Sequence, residues 1–282
     1  MFDKEIGDKY GPKNEPYLGA RVLALLPRLI GKRGEFVVGL FSYLRWVDDL
    51  MDEGKQPTKS KLEFMERQMV LATGIDEIKP ANPEPEEEFF SNLPWNVVPR
   101  ETRHRVQMIL GSVIDDVNNQ GFKVRTDREI RHYNWRTMWP IMDGLFLVLN
   151  GKPAKPGVQV MRFLDACVRI GSLEGLGDDL SQEVIKLPVE FERETAVTKQ
   201  SVLEKLDEKW FSAEKKRNLN EIAVNALGFL KLDIPAWQKL LCLGYAAEIL
   251  VTKSLGVSLK KAIQGAVSET VDVGNLNETE AI

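Results

Sequence analysis

The residues best placed to do chemistry lie in one stretch, FSYLRWVDDLMDEG, residues 41–54. A hydrophobic helical pattern there runs into four carboxylates, Asp48, Asp49, Asp52 and Glu53. At about 3.6 residues per turn, Asp48 and Asp52 share one face and Asp49 lies roughly 100° round the axis. Like charges at i,i+4 repel by about 0.2–0.5 kcal/mol, and the helix dipole makes acids at a C-terminal end costlier. A hard divalent cation held by carboxylate oxygens would offset both effects. Magnesium suits such a site: it takes one or two carboxylates, keeps some waters and bridges to substrate phosphates. A solvated helix end is the plainer alternative.

A metal site inside a helical protein needs a second set of ligands. Asp115 and Asp116 in SVIDDVNN are one candidate pair, read equally well as a solvated or structural pair. Glu174, Asp178 and Asp179 in SLEGLGDDLSQE are the better group, because they close a long helix and Glu174 and Asp178 share a face. No Ser-His-Asp or Cys-His arrangement is visible. His104 and His132 fall among arginines on helices and read as surface or structural groups, while Cys167 and Cys242 lie in apolar helical stretches and read as buried thiols.

These residues must be positioned by helices, since nothing alternates with strand period. Helical spacing marks 17–30, with a turn at 31–34, then the acidic helix, an amphipathic helix over 60–71 and another over 101–119. Thr126 caps a long helix reaching about residue 150, with Glu129 completing a capping box and Pro140 kinking it. Further helices follow over 158–182, two within 198–231, one over 235–255 and a short one over 260–267. The entry 1–16 reads as loose. The proline-rich segment 79–99, with Glu86, Glu87 and Glu88, reads as a surface connection pinned by Phe89, Phe90 and Trp95. The architecture expected is all-α, a single helical domain over 1–267, followed by a disordered acidic tail over 268–282. A hydrophobic content of 43% supports a sizeable core, and a net charge of −4 with mixed signs argues against nucleic acid as a partner. No leader opens the chain and no apolar run is long enough to span a bilayer, so a cytoplasmic protein without integral membrane segments is expected.

Four segments in order resemble the squalene/phytoene synthase family of isoprenoid transferases. LALLP at 23–27 looks like the end of the family's first helix. LFSYLRWVDDLMDE at 40–53 looks like its first aspartate motif, with Arg45 at the Arg position and Asp48 and Asp52 at the paired Asp positions. MILGSVIDDV at 108–117 and DDLSQEVIKLP at 178–188 are similar to two later segments. The resemblance covers nearly the whole chain and implies an isoprenoid-synthase-type bundle with a central cavity. It also implies Mg²⁺ at Asp48, Asp49, Asp52, Glu53, Glu174, Asp178 and Asp179, and an allylic diphosphate near Arg45. The catalytic set is then Arg45, Asp48, Asp52, Asp178 and Asp179, with Tyr133, Arg136, Trp139, Met142 and Tyr245 as further substrate contacts.

The departures from that family bear on the reaction. Its second motif carries Gln, Asn, Arg and Asp where this chain has Val168, Gly171, Glu174 and Gly175. Glu174 then stands in for the missing Asp one position early. Its Ser/Lys-rich first stretch is replaced here by residues 13–17, KNEPY, and small residues in its central helix by Met138, Trp139, Ile141 and Met142, whose bulk either fills the space of a long prenyl chain or merely points into the core. Head-to-head condensation of two prenyl diphosphates needs two diphosphate sites, which the thinned motif disfavours. Transfer of one short prenyl group to an aromatic acceptor, as carbazole-prenylating members of the family perform in secondary metabolism, fits better. A scaffold that has lost its chemistry is the third class, and the intact first motif argues against it.

Overall fold

Alternation of apolar and polar residues with helical period produces helices and, among the described residues, no strand. The computed structural model describes residues 4–12, 18–53, 57–74, 82–118, 126–177 and 206–254, without the side chains of residues 4, 7, 8, 18–22, 52 and 53. The helices are α1 (Lys4–Tyr10), α2 (Leu18–Ile30), α3 (Lys32–Glu53), α4 (Thr58–Thr73), α5 (Pro85–Ser91) and α6 (Glu101–Asn118). They continue as α7 (Asp127–Asn150), α8 (Val158–Glu174), α9 (Glu208–Asn225) and α10 (Ala236–Ser254), with 3₁₀ turns at Trp95–Val97 and Ala226–Lys231. The predicted tail 268–282, the helix at 260–267 and the segment 178–205 lie outside the described residues.

The chain divides into two compact units, each described by itself. The first comprises residues 1–118, 137–155 and 232–236, and the second 119–136, 156–231 and 237–282.

In the first unit α3 is the helix the others pack on: α1, α2, α5 and α6 all lie against it. The reason is its apolar content. Phe36, Tyr43, Trp46, Val47 and Met51 are all buried along α3. Each such side chain contributes about 1.5–3 kcal/mol on leaving water. Tyr43 stacks on Phe90 of α5 at 4.0 Å, and Trp46 meets Phe64 of α4 edge-on at 5.4 Å. The turn before α3 is tighter than 31–34. Gly31 alone makes it, at φ +56°, and Gly34 already lies inside α3. A Cβ on Gly34 would collide with the backbone of Leu26 and Pro27, so the absent side chain lets α2 and α3 touch.

Two expected loops differ. The entry forms α1, because Ile6 is buried and Tyr10 packs beside it on the same cluster. The 79–99 connection contains α5, and Glu87 of its acidic run is wholly buried rather than on the surface. It accepts from the Arg67 guanidinium, from Gln68 Nε2 at 2.6 Å and from the backbone N–H of Glu84 at 2.9 Å, while Tyr43 Oη donates to Gln68 Oε1 at 2.6 Å. Burial pushes the Tyr43 phenol far above its ordinary range, so it stays a donor.

In the second unit α9 packs along α8, and Phe163 of α8 meets Phe229 edge-on at 4.9 Å. The Thr126 capping box forms as predicted: Thr126 N–H and Oγ1 donate to Glu129, and Glu129 N–H donates back to Thr126 Oγ1. Helix α8 breaks after Glu174 at Gly175, and Leu176 and Gly177 are helical again; the rest of the expected span to 182 lies outside the described residues.

Candidate active site

The acidic end of α3 carries its own cations. One turn before the carboxylates, Arg45 Nη1 donates to Asp48 Oδ2 at 3.2 Å and Arg45 Nε lies 3.0 Å from Asp49 Oδ1. The i,i+3 and i,i+4 spacings put the guanidinium between both acids. Asp48 keeps 48% of its side chain exposed and Asp49 27%. A second cation, Lys61 of α4, is buried and donates to the Met51 carbonyl, which belongs to the last turn of α3. That satisfies one of the carbonyls a helix leaves unpaired at its end and sets positive charge beside the dipole's negative pole. The repulsion expected among the acids is therefore met in part by Arg45 and Lys61. Lys61 was not legible as a site residue: an amphipathic pattern places a first-turn lysine outward.

Asp48 and Asp49 supply hard, half-exposed oxygen donors, the donor type magnesium takes. Asp52 and Glu53 continue the same helix, but their side chains are not among those described. Among the described residues, no three carboxylate, imidazole or thiol groups gather as a metal cluster.

The second set is divided. Glu174 is the last residue of α8 and is paired with Lys253 of α10, Nζ to Oε2 at 2.5 Å. Asp178 and Asp179 lie outside the described residues. Asp115 and Asp116 are half-buried on α6. Of the proposed substrate contacts, Tyr133 is half-buried and Arg136 exposed, both on α7 within the second unit. Met138, Trp139 and Met142 are half-buried, and Ile141 is 40% exposed, in the part of α7 that belongs to the first unit. None of these four is in the buried core. Tyr245 is 40% exposed on α10. That helix turns Trp237, Leu240, Leu241 and Val251 outward as well.

His104 and His132 are exposed, as expected of surface groups. Cys167 and Cys242 are half-buried rather than buried. Burial nevertheless pushes both thiols up, Cys242 to about 11, so neither is a thiolate near neutral pH.

A polar network in the second unit was not foreseen. Arg169 of α8, almost wholly buried, donates through Nε to both oxygens of Asp165 at 3.2 Å and through Nη1 to Asp127 Oδ1 at 2.7 Å. Asn134 Nδ2 donates to Asp165 Oδ1 at 2.7 Å, and Arg131 Nη2 to Asp127 Oδ2 at 2.9 Å. Burial alone would raise the Asp127 carboxyl, but the hydrogen bond and charge of Arg169, with Arg131 and Arg217, hold it below the usual carboxylate range. The neighbouring Glu214 goes the other way, raised by its burial. The i,i+4 spacings Asp127/Arg131 and Asp165/Arg169 were the available signals.

No family model and no curated protein matches this chain. Its fold does have a solved counterpart, and it is an all-α fold of the isoprenoid-synthase type. That counterpart is the crystal structure of a dehydrosqualene synthase in complex with a ligand, with a TM-score of 0.53, 14% identity and 93% of each chain covered. At that identity the likeness is one of fold. Among the described residues no helix is long and apolar enough to cross a membrane.

Proposed function

We propose that this chain is a Mg²⁺-dependent prenyltransferase that moves a short prenyl group from an allylic diphosphate to an aromatic small molecule, releasing diphosphate. The observation that carries the reading is the end of α3: two half-exposed aspartates bridged by one arginine, on a fold shared with a dehydrosqualene synthase. Asp48, Asp49, Asp52 and Glu53 would hold the metal, with Asp178 and Asp179 as the second set of ligands. Bound there, Mg²⁺ would supply the positive charge that stabilises the leaving diphosphate.

The chain's own residues do the rest. Arg45 offers guanidinium N–H groups to the diphosphate oxygens as the allylic C–O bond breaks and its electron pair leaves with the diphosphate. An electron-rich ring carbon of the acceptor attacks the allylic carbon, forming the new C–C bond. The displaced ring proton passes to a carboxylate or to the departing diphosphate. Water must be kept from the cation throughout. Met138, Trp139 and Met142, none of them spent in the core, supply flat and polarisable surface for an aromatic ring, worth about 0.3–1.5 kcal/mol per contact beyond burial.

Head-to-head condensation of two prenyl diphosphates is the second reading, favoured by the dehydrosqualene synthase likeness. The two separate in one experiment, in which protein and Mg²⁺ are incubated with C5, C10, C15 and C20 allylic diphosphates, with and without indoles, carbazoles and phenols. A prenylated arene from the C5 donor, absent when the acceptor is omitted, supports transfer. A C30 or C40 hydrocarbon from one long diphosphate alone establishes condensation instead. No product and no diphosphate release with any donor would leave a non-catalytic scaffold.

A further inference from the structure

The register of one helix pair decides where a buried charge falls. Helix α4 runs back along α3: Gln68 meets Tyr43, Phe64 meets Trp46 and Lys61 meets Met51, so numbers rise on α4 as they fall on α3. The Tyr43–Gln68 bond of 2.6 Å and the ring contact at 5.4 Å fix that alignment and set Lys61 against the last turn of α3. Lys61 is 5% exposed, and Met65, one turn further on, is wholly buried. An ammonium taken out of water is costly, and the one neutral carbonyl of Met51 is a poor exchange for its hydration. What favours positive charge at this level is the negative end of the α3 dipole together with the acids that end carries. At about 1.5 Å of rise per residue, Met51 stands about 4.5 Å along the axis from Asp48. That is well inside the screening length of about 8–10 Å, and a buried charge is screened less than an exposed one. The Lys61 charge therefore acts on whatever binds at Asp48 and Asp49 without touching it.

We infer that Lys61 is a specificity-determining residue: its fixed charge makes the acidic end of α3 a site for the Mg²⁺–diphosphate complex and a poor one for free Mg²⁺. This rests on the diphosphate-dependent reading above and adds to it the form in which the metal enters. The physical basis is the sign of what arrives. A bare divalent cation is repelled by a nearby ammonium, whereas the metal–diphosphate complex is still an anion and is attracted by it. Arg45, between Asp48 and Asp49, adds to both effects from the same helix. Lys61 differs in being buried and held in place by a second helix, so its charge stays put whichever ligand is bound. A lysine with a purely structural role would move both affinities in one direction or move neither.

The test is calorimetric titration of the full chain with two probes, Mg²⁺ alone and inorganic diphosphate at saturating Mg²⁺. K61M is expected to bind Mg²⁺ alone about three- to tenfold more tightly and the Mg²⁺–diphosphate complex about tenfold more weakly. K61R, which keeps the charge, should stay within about twofold of the parent for both probes. Where K61M does not fold, K61Q decides, because it drops the charge and keeps amide donors for the Met51 carbonyl; the same two opposite shifts are expected of it. Any other pattern in the neutral variant, with both affinities weakened, both tightened or either one unchanged, overturns the inference. D48N run alongside separates the two claims, since losing a metal ligand should weaken both probes. If D48N does so and the neutral Lys61 variant shows no opposite shifts, only this inference falls. If D48N leaves both affinities unchanged, or the parent binds neither probe, the diphosphate reading falls too.

Discussion

Removing Arg169 should cost the second unit about 3 kcal/mol at neutral pH, and the loss should fade in acid. The side chain is 2% exposed and makes three short contacts to two carboxylates: Nε to both Asp165 oxygens and Nη1 to Asp127 Oδ1. In R169M the Asp165 side chain, 10% exposed, keeps Asn134 Nδ2 at 2.7 Å and Arg131 Nε at 3.7 Å. It is thus under-compensated rather than abandoned. Breaking one side of a buried pair costs about 3–5 kcal/mol, and the surviving partners place this case at the low end. The pH dependence follows from Asp127, whose folded carboxyl is held below its unfolded value by Arg169 and its neighbours. A depressed acid contributes stability that is present above its unfolded value, near 4, and lost as pH falls through the lower folded value. R169M surrenders much of that contribution, so the gap between parent and variant should be full at pH 7 and narrow below about pH 4. Urea unfolding followed by circular dichroism at pH 7, 5 and 3.5 measures it. The double variant D165N/R169M should recover most of the loss, because it leaves no lone buried charge. A loss below about 1 kcal/mol at pH 7, or a gap that widens in acid, would refute the reasoning.

Three further outcomes follow from the same contacts. E87A removes the acceptor shared by Arg67, Gln68 and the Glu84 N–H, and should cost about 2–4 kcal/mol in a urea melt, whereas a truly surface acid there would cost under about 0.5. G34A puts a methyl group into the backbone of Leu26 and Pro27 and should lower stability by about 1–3 kcal/mol, while G111A, with open space at its Cβ, should not. Cys242, held protonated to about 11, should alkylate slowly at pH 8, with a rate that climbs about tenfold per pH unit and levels off only near pH 11; iodoacetamide rates by mass spectrometry that level off near pH 8.5 would contradict this.

Local rules carried the helices and the capping box, because their causes lie within a few residues of each other. The apolar spacing of α3 was visible, and so was the Thr126–Glu129 reciprocal cap, which spans three positions. Elements set by distant partners were not visible. Glu87 sits in an acidic run that reads as solvated, and beside the local Glu84 N–H its burial depends on Arg67 and Gln68, some twenty residues away. Arg169 reaches Asp127 across forty-two positions, and Lys253 reaches Glu174 across seventy-nine. The i,i+4 spacing of Asp165 and Arg169 hinted at a pair but not at its burial. Residues 1–16 read as loose because Ile6 and Tyr10 are too few to signal a helix until α3 offers them a surface. The candidate site was legible where one helix carries it, at Arg45, Asp48 and Asp49. It was illegible where the compensating charge comes from another helix, as with Lys61.

The most direct measurement of the central claim is release of inorganic diphosphate from the C5 allylic diphosphate, with an aromatic acceptor present, by the parent chain and by D48N. The parent is expected to release diphosphate only with Mg²⁺, to stop on adding EDTA and to resume when Mg²⁺ is restored. D48N should be slower by two or more orders of magnitude, about 3 kcal/mol in barrier, with an unchanged far-ultraviolet circular dichroism spectrum. Release by D48N at the parent's rate, or release by the parent that ignores EDTA, would contradict the account.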